Sequence, residues 1–154
     1  MNKQIDKQAA QKLAQAMGDE CIAFRVRALN RIVTNLYDAA LSPLNVTVNQ
    51  ATMLIMLSLV GEATPGRIGQ VLIMEKSTIS RNLDRMKKQG WVETAGRDGG
   101  KEQVVRATPA GRTLLVALHP IWEAAQKQVA EFLGSKGVSA VHTLHEAVRK
   151  KHPV

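Results

Sequence analysis

At 154 residues the chain has room for one domain with a real core and is too short for two large ones. Its 21 Lys and Arg against 13 Asp and Glu leave a net charge of +8 and a pI near 10.0. That bias favours polyanionic partners, with nucleic acid, an anionic membrane surface and plain solubility all open on charge alone. A single cysteine, Cys21, excludes an internal disulfide, no run of 18 apolar residues marks a membrane span, and "MNKQIDKQAAQKLAQAMGDE" lacks a hydrophobic signal core. A soluble, cytoplasmic protein with no membrane partner is expected.

In chain order, the first helix signal runs from Cys21 to Leu41, where Ile22, Val26, Leu29, Val33, Leu36 and Ala40 recur at three- and four-residue steps. Phe24, Ala28 and Ile32 add a second apolar side, so this helix is expected to pack on two things at once. Thr47-x-x-Gln50 has the form of a capping box, predicting a second helix that carries the apolar residues 53–60 until Gly61 stops it. Thr64-Pro65, an N-cap followed by a proline at the first helical position, opens a third helix ending near Ile73. A fourth runs from about Glu75 to Gln89, with Ile79, Leu83 and Met86 as its apolar stripe and Gly90 placed to close it.

After Gly90 the period changes. "WVETA" and "EQVVRAT" are β-prone segments separated by "GRDGGK", the pattern of a two-stranded hairpin. Thr108-Pro109 then opens a long helix with Leu114, Leu118, Ile121, Ala125, Val129 and Phe132 on one stripe, and a last helix is expected after Gly137. The fold class is mainly α with a small β-wing: three short helices followed by a hairpin is the order of a winged helix-turn-helix, whose third helix enters the DNA major groove.

The charge concentrates there. Residues 67–112 hold ten basic side chains against five acidic ones, an excess of five out of the whole chain's +8. At about 100° per residue, Ser77, Ser80, Arg81, Asp84, Arg85 and Lys88 fall opposite the apolar stripe of the fourth helix. Lys76, Ser77 and Thr78 stand at its start, where free amides and hydroxyls suit phosphate. Ser80 lies beside Arg81 and Arg85, which have the reach for guanine O6 and N7, while Lys88 extends the positive face. Arg97 and Lys101 on the wing are placed for backbone or minor groove. The competing reading of such a stripe is a merely solvated helix face.

The segments "SPLNVTVNQATMLIML", "EATPGRIGQVLIMEKSTISRNLDRMKKQGWVE" and "VVRATPAGRTLL", in that order, resemble the MarR family of winged-helix regulators. The resemblance implies one MarR-like domain over residues 1–154, with 43–110 as the DNA-binding winged helix and 19–42 and 111–154 as dimerisation helices. It implies a homodimer on a pseudo-palindromic double-stranded operator, acting as a repressor released by a small-molecule or oxidant effector. Two places depart from the family pattern. The wing tip has Gly99 and Lys101 where an Asp and an Arg are usual, so phosphate contact rather than base reading is expected of it. The turn before the fourth helix has Ile73 and Glu75 where Gly and Ser are usual.

For the effector, the resemblance places a cleft between dimerisation and DNA-binding parts, with Arg25, Arg31, Tyr37 and Met53 as candidate liners and Arg the natural partner of an anion. Cys21, read as standing at the start of the first helix, is a redox candidate or a buried interface residue; the peroxide-sensing branch has tyrosines where this chain has Arg25 and Asn35. His142-x-x-His145 lacks further ligands at a recognisable spacing, so no metal and no cofactor are expected. Trp91 is expected in the core under the wing. No nucleophile, acid–base pair or phosphate loop points to an enzyme. A winged helix that binds a protein instead of DNA stays open as the alternative.

Overall fold

The computed structural model describes residues 6–96 and 103–151. The elements run α1 (Lys7–Glu20), α2 (Ile22–Leu41), a 3-10 turn (Ser42–Leu44), α3 (Val48–Val60), β1 (Glu62–Ala63), α4 (Pro65–Leu72), α5 (Lys76–Lys88), β2 (Val92–Gly96), β3 (Gln103–Ala107) and α6 (Pro109–Lys151). Contacts divide the chain between Asn35 and Leu36 into two units.

The N-terminal unit is helical. Asp6 caps α1 by accepting from the Gln8 amide (3.0 Å), and the helix ends at Cys21, whose backbone is extended (φ −68°, ψ 106°). The Arg25 side chain then donates to the Asp19 and Cys21 carbonyls, covering acceptors that the break frees. Helix α1 is an addition to the sequence reading, and Cys21 consequently sits between two helices rather than at the start of the first. The residues of α1 are mostly Ala, Gln and Lys, strong helix formers, but with only Leu13 and Met17 as large apolar residues they carry no stripe for periodicity to detect.

The second unit is a winged helix with α6 appended. Its core joins Leu41, Val46, Met53, Leu54, Leu57, Ile68, Ile79, Leu83, Met86, Val92, Val105 and Leu118, all buried. The local signals become bonds. Thr47 accepts from the Gln50 amide (3.4 Å) while the Gln50 side chain accepts from the Thr47 amide (3.1 Å), and Gly61 closes α3 at φ 82°. Asp38, near the end of α2, adds a carboxylate that accepts from the Val48 amide at 2.6 Å.

The sheet is antiparallel in the order β1-β3-β2, with Glu62 opposite Arg106 and Thr94 opposite Val105. The hairpin was expected; β1 is a third strand, two residues long and too short for any period. Arg106 pairs with Glu62 across it at 3.5 Å.

Thr108 forms the joint between wing and tail. Its hydroxyl accepts from the Gly111 amide (3.0 Å) and donates to the Gly90 carbonyl (2.6 Å), and its own amide donates to the Trp91 carbonyl (3.0 Å). Trp91 is half-buried against the core. The tail is broken at Gly134 (φ 67°, ψ 166°), three residues before the expected Gly137, giving helical segments 109–133 and 135–151. Gly134 alone takes the positive φ that a break there needs, whereas Gly137 lies inside the following helix and approaches Leu133. Among the described residues no single helix is long and apolar enough to cross a membrane.

Candidate nucleic-acid interface

The helix-turn-helix is α4, a tight turn and α5. Thr64 caps α4 by accepting from the Arg67 amide (3.1 Å), with Pro65 following at the first helical position. The turn is closed by the Met74 amide donating to the Gly69 carbonyl (2.9 Å), which forces Ile73 into the left-handed region at φ 53°. Glu75 then occupies the N-cap of α5 without a side-chain bond to its own helix. Its charge still lies at the positive end of the helix dipole.

Helix α5 is fixed by its apolar side: Ile79, Leu83 and Met86 are all buried in the core. That burial leaves Lys76, Ser77, Ser80, Arg81, Asp84, Arg85, Lys87 and Lys88 exposed. Thr78 is only half-exposed, and its carbonyl accepts from the Asn82 side chain (2.9 Å). Arg81 folds back so that Nε donates to the Ser77 carbonyl (3.2 Å), a single weak tether to an exposed group. The resulting surface has three features that nucleic acid demands together: hydroxyls near free amides, long guanidinium arms and positive charge on a rigid rod.

Lys87 counts in the basic excess of residues 67–112 but is not among the DNA-contact candidates of the sequence, because it lies on the flank of α5, outside the stripe opposite the apolar residues. With Lys76, Pro65, Gly66, Gly69 and Ile79 it lines a cleft of about 530 Å³ between α4 and α5. The signal available for it was the run Lys87-Lys88 itself. The wing candidates Arg97 and Lys101 lie outside the described residues.

The candidate effector residues fare differently. Arg25 and Arg31 belong to the N-terminal unit and are exposed, Arg25 being engaged with backbone carbonyls as described. Tyr37 is half-buried, donates its hydroxyl to Gln126 Oε1 on α6, and burial pushes its phenol above the ordinary pKa. Met53 is a correction: at 0% exposure it is part of the central core, with no surface to offer a ligand. It lies within the apolar run of α3, and the sequence alone could not separate a cleft-facing side of that run from a core-facing one. Cys21 is half-buried and unpaired.

Three helices, a short sheet and a hairpin in this order define a winged helix-turn-helix protein. Comparison with known proteins makes the assignment narrower. Residues 44–101 match the family model described as MarR family. The multiple antibiotic resistance protein MarR of Salmonella typhimurium is 30% identical over 92 residues, 59% of this chain and 64% of that protein. The chain thus aligns with somewhat under two thirds of that relative's length. Among solved structures, a cysteine-to-serine mutant of Escherichia coli MarR complexed with operator DNA superposes with a TM-score of 0.75 at 22% identity, covering 86% of this chain and 96% of that one. Bordetella bronchiseptica BpsR, whose DNA binding is regulated by 6-hydroxynicotinic acid, superposes with a TM-score of 0.74 at 17% identity over 85% of this chain and 95% of that one. Over residues 44–101 the chain thus resembles the MarR family, and it shares the fold of that family's solved members.

Proposed function

We propose that this protein is a sequence-specific, DNA-binding transcriptional regulator that acts as a homodimer on a pseudo-palindromic operator. The observation that carries this is α5: its apolar side is locked in the core, and its outward side presents Ser77, Ser80, Arg81, Arg85 and Lys88 on a rigid helix. A solvated helix has no need for so concentrated a positive face on the element that this fold inserts in the major groove. The function is regulatory and not catalytic, and its place is the compartment that holds the DNA, the cytoplasm.

In this reading Arg81 and Arg85 read bases, Ser77, Ser80, Lys76 and Lys88 hold phosphate, Thr78 has a lesser part, and Arg97 and Lys101 clamp backbone from the wing. Repression relieved by a small molecule is the mode of control; the fold's likeness to BpsR, itself regulated by 6-hydroxynicotinic acid, supports it.

Fluorescence anisotropy on the DNA upstream of the protein's own coding sequence tests the reading. Affinity should fall steeply with salt, as released counterions require. Arg81→Ala should cost roughly 1–3 kcal/mol per half-site on the cognate sequence and little on random DNA. Binding that ignores salt, or a variant that weakens both DNAs equally, contradicts base reading by this helix. Recovery of a stoichiometric protein partner with no DNA would move the function to protein interaction.

A further inference from the structure

The α4–α5 turn contains a residue that the fold alone does not favour. Ile73 is held at φ 53° by the Met74–Gly69 backbone bond (2.9 Å), a conformation that a β-branched side chain adopts at a cost. Burial does not offset that cost, because Ile73 is 80% exposed and lies outside the core cluster. Glycine or asparagine would make the same turn with less strain. The compensation is therefore sought outside the isolated chain.

The location limits what that compensation is. Ile73 lies three residues before the start of α5 and two before its N-cap Glu75, at the N-terminal end of the helix that enters the major groove in a helix-turn-helix complex. Ser77, Ser80, Arg81 and Arg85 supply polar groups for base edges, and among them there is no apolar side chain. The major groove offers one apolar feature, the 5-methyl group of thymine.

We propose that Ile73 is a specificity-determining residue that packs its side chain against a thymine methyl in each operator half-site. The proposal rests on the reading of α5 as the DNA-reading helix. Covering one methyl group is worth about 0.8 kcal/mol, a change of roughly fourfold in affinity per half-site.

The test is a methyl-deletion scan. A fluorescein-labelled operator duplex, recovered by the wild-type protein from genomic fragments, is resynthesised with deoxyuridine in place of each thymine in turn. Wild type should lose about fourfold at one thymine of each half-site. Ile73→Ala and Ile73→Gly should bind the unmodified operator about fourfold more weakly per half-site and show no further loss at that thymine. Ile73→Gly, which also removes the strain, should melt no lower than Ile73→Ala, so a folding defect is separable from a lost contact. Wild type that is indifferent to every substitution, or an Ile73→Ala protein as sensitive as wild type, overturns the proposal while operator binding itself still stands. Absence of any specific DNA binding removes both this proposal and the function on which it rests.

Discussion

Replacing Gly111 by alanine places a methyl group where the structure has a peptide carbonyl. A Cβ at this position would overlap the Trp91 carbonyl oxygen and stand 3.0 Å from its carbon and 3.1 Å from Leu54 Cδ1. Backbone cannot swing aside as a side chain does, so either the strand-initiating Trp91 or the first turn of α6 must shift. Forced overpacking costs about 1–3 kcal/mol. The same shift strains the bond from the Thr108 amide to Trp91 O (3.0 Å), worth about 1 kcal/mol. Alanine recovers up to about 1 kcal/mol through its better helix propensity. The net loss is about 1–3 kcal/mol, which at a urea m of about 2 kcal/mol/M lowers the urea midpoint by about 0.5–1.5 M at a fixed protein concentration. Gly66→Ala is the control, since its Cβ would meet only Thr64 Oγ1 at 3.9 Å, and it should leave the midpoint unchanged or raise it. A Gly111→Ala protein that unfolds with wild type would refute the claim that contact between the wing base and α6 dictates this glycine.

Thr108→Val removes the cap of α6 and the donor to Gly90 O together, so it should cost about 1–2 kcal/mol in denaturant unfolding, with Thr108→Ser close to wild type. Asp38→Ala leaves the Val48 amide without its acceptor and should cost about 1 kcal/mol, a loss that Asp38→Asn largely restores. Leu144→Asp alters a residue 63% exposed in the single chain; on the proposed homodimer, sedimentation should show dissociation and the melting temperature should become more dependent on concentration. An unchanged sedimentation coefficient would exclude the segment 135–151 from the dimer interface.

What the sequence revealed and what it hid follow one physical division. Capping boxes, prolines at first helical positions and closing glycines act within four residues, and Thr47-Gln50, Thr64-Pro65, Gly61 and Gly90 all stand in the structure as punctuation. The stripe Ile79, Leu83, Met86 likewise suffices to orient α5, so the composition of its outward face was readable before any coordinates. Contacts between distant segments were not. Strand β1 exists because Glu62 and Ala63 meet Arg106 and Val105, more than 40 positions away. Thr108 was legible as a helix cap, but its donation to Gly90 bridges 18 positions. Nothing in the local pattern of α2 marks Asp38 as an acceptor for Val48, which belongs to the next helix. Met53 failed for the same reason, since periodicity marks it as apolar and only packing says which apolar neighbour it has.

The exposed apolar surface and the reading helix bear on each other. Ile22, Phe24, Val26 and Ile32 on α2 and Leu144 and Val148 on α6 remain exposed in the single chain. Isolated apolar residues on a surface need no explanation, but helical stripes of them on two long elements point to association. The two-sided apolarity of α2 in the sequence has the same consequence, because a winged helix is too small to cover both sides. In the proposed homodimer, association supplies what base reading by one α5 lacks. A helix with two arginines contributes about 2–6 kcal/mol of base discrimination at roughly 1–3 kcal/mol per contact, near the lower end of what operator recognition requires. Two copies related by a two-fold axis double that contribution and impose a half-site spacing of about one helical turn, a second criterion that random DNA rarely meets. In the proposed homodimer, a ligand or substitution that changes the spacing of the two copies of α5 is expected to weaken operator binding without touching a single base-reading side chain.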